Sequence, residues 1–330
     1  MLVTGPNGAG KTNLLEALHV GTQGFSPRTR SDAQLVRFGA EAGRVRLAGA
    51  RGDVSVETEV ALAPSAARRA TLNGARLRAA EQLRGEIQTL VFTPDRLAIV
   101  KGAPAVRRAY FDRSLGRLIP ARASLAVEYS AAVVQRNAAL RRVAAGLSSA
   151  EALEPWTERV AALGSELTAA RREAVAALDG PFGTQAGALG LERARLRYDA
   201  EAPSVADLEA RLSRDLERGT TGLGPHLEDV EILADDRDLR SFGSQGEQRL
   251  ALLALLLAEA ETIADRTGVA PLLLLDDVLS ELDPGRRQIL AARVRTVGQA
   301  LVTATDAAML PTAPDQLLEV TPGAVLEAVA

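Results

Sequence analysis

Near the start of the chain, three glycines, a lysine and a threonine fall within eight residues: Gly5-Pro6-Asn7-Gly8-Ala9-Gly10-Lys11-Thr12, followed by Asn13. The spacing is G-x-x-x-x-G-K-[ST]. Glycines let backbone N–H groups turn toward phosphate oxygens without a clashing Cβ. Lys11 then supplies a point charge for β and γ phosphates, and the Thr12 hydroxyl a ligand for Mg²⁺. A chance glycine-rich turn is the plainer alternative, and the completeness of the pattern argues against it.

That chemistry needs carboxylates, and Asp276 and Asp277 supply them in "PLLLLDDVLSELDP", residues 271–284. One can hold the magnesium or its water. The other can orient or deprotonate an attacking water. A pair of helix-capping carboxylates would read the same way. A third stretch, "SFGSQGEQR" at 241–249, places Ser244, Gln245, Gly246 and Glu247 at the start of an apolar helix. Small residues there make a second anion site. A second phosphate site makes sense if it meets the nucleotide of another subunit. A simple capped helix remains the alternative.

These residues need a strand–loop–helix frame. "MLVT" reads as the end of a buried strand, and "NLLEALHVGT" as a helix with Leu14, Leu15 and Leu18 on one side. The four leucines at 272–275 suit a central parallel strand, with the aspartates at its C-terminal end, where open α/β sheets hold ligands. Residues 43–92 alternate polar and apolar, and Asn73-Gly74 predicts a hairpin turn. From Pro104 to about 178 the pattern is helical, broken near Gly146 and Pro155 and ended by Asp179-Gly180-Pro181. The expected organisation is α/β. A discontinuous nucleotide lobe covers 1–100 and 186–330, with a β-rich insert at about 43–92. A helical arm of at least three helices covers 101–185.

Composition narrows the function. The 330 residues are 47% hydrophobic and 25% charged, as in a soluble globular protein. The absence of cysteine excludes disulfides and thiolate chemistry, and two histidines, His19 and His226, make zinc sites improbable. The longest apolar run, 250–258, is too short to span a bilayer, and no signal peptide opens the chain. No membrane association and a cytoplasmic location are expected. Residues 1–150 hold 22 Lys/Arg against 11 Asp/Glu, and residues 151–330 hold 17 against 31. A basic face in the first half is therefore expected. Arg68, Arg69, Arg76 and Arg78 flank the hairpin, and Lys101, Arg107 and Arg108 open the arm. Guanidinium groups bind phosphates without reading sequence. Aromatic residues are only 3% of the chain, which disfavours base stacking and points to duplex DNA. A solvated arginine-rich face is the alternative.

In order, the three motifs resemble those of ABC-type ATPases, and within that class the chain resembles the RecF family. The likeness also rests on "VFTPDRLAIVKGAPAVRRAYFD" at 91–112 and "GPHLEDVEI" at 224–232. It covers essentially the whole chain. The resemblance implies a P-loop ABC-type ATPase head in which residues Gly5 to Asn13 bind ATP. Thr12 and Asp276 serve Mg²⁺, and Asp277 stands where relatives often place a glutamate base. It further implies that Ser244, Gln245, Gly246 and Glu247 touch ATP across an ATP-dependent homodimer, and that Ser280 to Asp283 form the D-loop. Lys101, Arg107 and Arg108 match the family's basic segment. The implied role is binding of double-stranded and gapped DNA in recombinational repair, replication and the SOS response, with RecO and RecR as partners and weak, DNA-stimulated ATP hydrolysis.

Three features depart from the pattern. Thr93 stands where a glutamine is usual, with Asp95 as a possible substitute. Asp306 replaces a switch histidine, which points to slow hydrolysis and away from a transporter cassette. The family also leads one to expect further strands before the P-loop strand, helping to hold the adenine. Two other readings stay open: a nucleotide-gated scaffold with negligible turnover, and the ATP-binding subunit of a transporter.

Overall fold

The computed structural model describes residues 1–29, 31–280 and 282–328. By compactness the chain divides into one unit of Met1–Arg96 with Leu256–Ala330, and a second of Leu97–Leu255. The longer helices are α1 (Lys11–Gln23), α2 (Pro104–Leu118), α3 (Leu125–Ala144), α4 (Glu154–Ala188), α5 (Gln245–Thr267) and α6 (Pro284–Val297). No helix among the described residues is long and apolar enough to cross a membrane.

The first unit is built on a six-stranded sheet. Its order is Ala324–Ala328, Leu317–Thr321, Leu2–Thr4, Ala300–Thr303, Leu272–Leu275, Thr89–Phe92. All neighbours are parallel except the first pair, which forms a hairpin. The parallel strands are near-continuous apolar runs because layers cover both faces. Val3, Leu15, Val91, Leu274, Leu301 and Val320 form one core cluster. The P-loop strand and the leucine strand flank Ala300–Thr303, so the glycine-rich loop and the aspartates emerge at the same end of the sheet.

The insert is a separate antiparallel sheet of Gly43–Arg51, Val54–Ala63, Ala66–Leu72 and Ala75–Arg76. Thr89–Phe92, included in the expected insert, belongs instead to the main sheet, because its four residues are buried against the leucine strand. The Asn73-Gly74 turn is present, with φ of 49° and 79° as a two-residue I′ hairpin requires. The insert meets α1 closely: a Cβ on Gly21 would lie 2.4 Å from Leu47 Cδ1. The Thr58 hydroxyl donates to the Gly21 carbonyl at 2.7 Å.

The second unit holds α2, α3 and α4 and a three-stranded antiparallel sheet of Arg195–Arg197, Glu231–Ala234 and Arg237–Asp238. The expected break at Gly146 falls between α3 and α4, whereas Pro155 lies inside the first turn of α4, where a proline is tolerated. The expected stop at Asp179-Gly180-Pro181 does not occur: α4 runs 35 residues, through Pro181. An interior proline costs about 3 kcal/mol in a helix. Here Leu178, Phe182 and Ala186 continue the buried face across it. The Asp179 carboxylate leaves the turn alone and accepts from Leu196 N at 2.6 Å, tying the helix to the small sheet. By compactness residues 186–255 therefore group with the helices, whereas the division expected from sequence assigns them to the nucleotide lobe.

Candidate functional site

The loop after the first strand turns on three left-handed glycines, Gly5 (φ 147°), Gly8 (φ 82°) and Gly10 (φ 112°). A Cβ on Gly5 would sit 2.3 Å from the Val320 carbonyl oxygen, so this glycine is also required for space. Gly10 caps α1 with no side-chain hydrogen bond, which leaves the first-turn N–H groups of the helix facing the loop mouth. Lys11 is buried, and its ammonium donates to the carbonyls of Gly5 (2.7 Å) and Pro6 (3.1 Å). A cation and a row of N–H groups thus share one concavity, the arrangement that holds a polyphosphate.

Thr12 stands on α1 one residue beyond Lys11. Its hydroxyl donates to both oxygens of Asp276, at 3.1 and 2.9 Å. Asp276 is buried and accepts a further bond from the Thr303 hydroxyl at 2.8 Å. These donors are neutral hydroxyls, and a buried carboxylate held, among the described residues, by hydroxyls is suited to a cation. Thr12 and Asp276, 264 residues apart in sequence, therefore form an oxygen-rich pair at the mouth of the loop. Asp277 is half-buried with φ 50°, a conformation uncommon outside glycine. Its N–H donates to Thr303 Oγ1 at 2.8 Å, which fixes its backbone against the neighbouring strand. Thr303, which sequence reading passed over, orients both aspartates at once; only its place on the adjacent strand marks it.

Ser280 Oγ donates to the Asp277 carbonyl at 2.9 Å, so the expected D-loop starts tied to the second aspartate. Asp283 caps α6 by accepting from Arg286 N at 3.0 Å, and that bond holds its carboxyl below the usual value. Glu281 lies outside the described residues. Thr93 is buried and Asp95 is exposed in the turn Pro94–Leu97. The Asp306 side chain accepts from Ala308 N at 2.8 Å and caps a single turn.

In the second unit, Ser244, Gln245 and Gly246 are exposed at the start of α5. Ser244 N donates to Glu247 Oε2 at 2.7 Å, and Glu247 N donates to Ser244 Oγ at 3.3 Å. This is a reciprocal capping box. The hydrogen bond from Ser244 N lowers the Glu247 carboxyl below its ordinary range.

The basic residues divide. Arg69, Arg76 and Lys101 are exposed. Arg107, expected on a DNA-facing surface, is 2% exposed. Its guanidinium grips the Asp229 carboxylate and donates to the Val100 and Gly102 carbonyls at 3.0 and 3.2 Å. Arg68 donates to Asp32 at 2.7 Å and to the Gly24 carbonyl at 2.8 Å, bracing the segment after α1. Arg108 donates to the Glu228 carbonyl, and burial lowers its pKa. These three arginines hold the fold together rather than face a ligand.

The Gly-Pro-His stretch turns out to be a clamped loop. His226 Nε2 donates to the Thr221 carbonyl at 3.0 Å, so Nδ1 accepts from the Tyr129 hydroxyl at 2.7 Å. Burial, then Arg108 and Arg171, depress the His226 pKa. Arg171 donates to the Pro225 carbonyl at 2.6 Å and pairs with Asp112. Arg136, fully buried, bonds Asp215 at 2.8 Å and Thr221 at 2.9 Å. No local sequence signal announces these pairs, because their members are distant in the chain.

A model of the RecF/RecN/SMC N-terminal domain matches residues 1–325. The chain is 35% identical over 320 residues to the DNA replication and repair protein RecF of Heliobacterium modesticaldum, covering 92% of this chain and 86% of that protein. To the protein of the same name from Frankia alni it is 37% identical over 335 residues, covering 94% and 88%. Among solved structures, the recombination mediator protein RecF with ATP, in the RecFOR pathway, aligns with a TM-score of 0.86 at 28% identity, over 99% of this chain and 91% of that one. An Smc head bound to the C-winged helix domain of ScpA shares the fold at a TM-score of 0.61 and 17% identity, over 99% and 88%.

Proposed function

The chain belongs to the RecF/RecN/SMC N-terminal-domain family, as a RecF-type DNA replication and repair protein, and on that premise we propose that it binds ATP, dimerises on it and holds duplex or gapped DNA. The observation that carries the reading is the meeting of Thr12 with buried Asp276 beside the Lys11 loop. Residues Gly5 to Asn13 cradle the phosphates, and Lys11 exchanges its own loop carbonyls for phosphate oxygens. Thr12 and Asp276 are the residues that would hold Mg²⁺, which when bound offsets phosphate charge. Asp277, its backbone fixed by Thr303, accepts a proton from the attacking water. Ser244 to Glu247 close over the phosphates of a second copy, and Ser280 and Asp283 line the same contact. Arg69, Arg76 and Lys101 meet DNA phosphates. The functional ATPase lobe is then 1–100 with 186–330, and 101–185 is an arm. RecO and RecR are the expected partners, in the cytoplasm.

Slow turnover is part of the reading. Asp306 is engaged as a cap and Thr93 is buried, so neither offers an extra group for the water. The same observations favour, as a second reading, a nucleotide-gated scaffold with negligible hydrolysis. Family membership removes the transporter reading.

The test is a duplex titration with and without ATP, alongside light scattering and phosphate release. Duplex affinity and mass should both rise with ATP. A chain that binds duplex equally without nucleotide, or stays monomeric with it, overturns the proposal. Dimerisation with no phosphate release selects the scaffold.

A further inference from the structure

Four exposed arginines of the second unit hold acid partners: Arg122 with Glu173, Arg159 with Glu128, Arg193 with Asp235 and Arg195 with Asp236. Arg141, Arg142, Arg214 and Arg218 are exposed too, but none of them makes an ion pair among the described residues. The fold gathers these four at the C-terminal end of α3. Arg214 and Arg218 share one side of the short helix Leu212–Arg218, at i and i+4. That helix is locked to α3 from within: Arg136 bonds Asp215 and Thr221, and Asn137 Oδ1 accepts from Thr221 N at 2.7 Å. Gly219 closes it with φ 65°, and a Cβ there would lie 2.9 Å from Arg141 Cγ. The Arg141 stem therefore crosses the residue next to Arg218, and Arg142 follows it on α3.

We propose that this patch grips the sugar–phosphate backbone of duplex DNA, as a phosphate contact additional to Arg69, Arg76 and Lys101. It rests on the duplex reading given above. Cations at helix C-termini are also favoured by the helix dipole. That accounts for each charge singly, whereas guanidinium groups left side by side repel one another unless an anion comes between them. Glu217 is the exposed acid of the short helix, one carboxylate against four arginines. The other exposed residues here are Ser213, Thr220, Ala144 and Ala145. Hydroxyls of this kind donate to phosphate oxygens. None of the four is a large apolar residue, so they give an acidic peptide no anchor of the kind that protein contacts use. None is aromatic, so bases are not stacked and sequence is not read.

Titration of a mixed-sequence duplex against the full chain with an ATP analogue, at several salt concentrations, tests the patch. Replacing Arg141, Arg214 and Arg218 together by Gln should lower duplex affinity by about tenfold or more. The log–log salt slope should fall by about 2.7, since each phosphate contact carries about 0.9. Nucleotide affinity and ATP-driven mass should not change. Arg141→Lys, Arg214→Lys and Arg218→Lys together should keep most of the slope, because charge survives while the bidentate fork is lost. Arg193→Gln with Arg195→Gln, taken from the paired set, should leave the slope unaltered. In the parent, duplex should slow amide exchange over residues 212–222, which decides the matter where a variant fails to fold. A triple Gln variant with the parent's slope, or a duplex that protects nothing at 212–222, overturns the patch and leaves the duplex reading standing. A parent that binds no duplex overturns both. Polyglutamate that binds the parent more tightly than duplex does, and is released by the triple Gln variant, gives the patch to an acidic protein and overturns the proposal.

Discussion

Two helix starts in this molecule, each with a glycine beside its first turn, reach opposite ends. Before α1, Gly10 caps the helix with no side-chain bond, and the N–H groups of the first turn are left open. Before α5, Ser244 and Glu247 satisfy each other's backbone donors. Both look like anion sites in sequence. One has no side-chain cap and the other is closed on itself, so a phosphate at the second turn must compete with Ser244 Oγ and Glu247. A ligand that bridges both sites would find the first preformed and the second needing rearrangement, which suits an interaction made only when two copies come together.

The comparison breaks most visibly at the open turn. Lys11→Ala should weaken binding of an ATP analogue by about 10³-fold, because charge-assisted bonds to phosphate have no backbone replacement. Unchanged affinity in an equilibrium titration would remove the loop from the site. Asp277→Asn leaves that turn untouched but removes the proposed base at the end of the leucine strand. Analogue binding should hold while phosphate release slows by about 100-fold, and full turnover would move the base elsewhere.

The closed turn should give smaller effects. Ser244→Arg should leave nucleotide binding by the monomer intact while ATP-driven dimerisation fails. Duplex affinity should drop by about tenfold and its salt dependence should flatten as fewer phosphates are neutralised. If light scattering still finds the dimer, the turn at α5 is only a capped helix. Glu247→Gln isolates the cap itself, with an expected loss of about 0.5 kcal/mol in thermal or urea unfolding. The pH dependence has a definite sign. The folded carboxyl of Glu247 lies below its ordinary 4.5. Its contribution is therefore complete above that value and is lost as pH falls through the folded pKa. Protection of the amides at the start of α5, measured against their intrinsic exchange, should fall over that acid range in the parent and not in Glu247→Gln.

Much of the first helix start was legible because its information is local. A G-x-x-x-x-G-K-T run fixes the turn and names its own ligand, and Asn73-Gly74 names its own hairpin. The leucine run with two aspartates was equally readable, since burial and the C-terminal edge of a parallel strand follow from pattern. What escaped was long-range. Arg107 looks like any cation until Asp229, 122 residues on, is folded against it. Asp179-Gly180-Pro181 carries strong stop signals, yet the buried face continued by Phe182 outweighs them. Ser244 and Glu247 read correctly as a helix start, but spacing alone does not tell whether such a start is open or closed.

Helix α1 behaves as a short lever. Its thirteen residues, about 20 Å of rigid rod, are gripped at one end by the phosphate loop and at the other by the insert. At that far end Gly21 touches Leu47, and Gly24 lies so near Ala80 that a Cβ would fall 2.1 Å from its carbonyl oxygen. Such contacts have no slack to take up. A shift of α1 on filling the loop must therefore tilt the insert hairpin that carries Arg69 and Arg76, or else bend the helix.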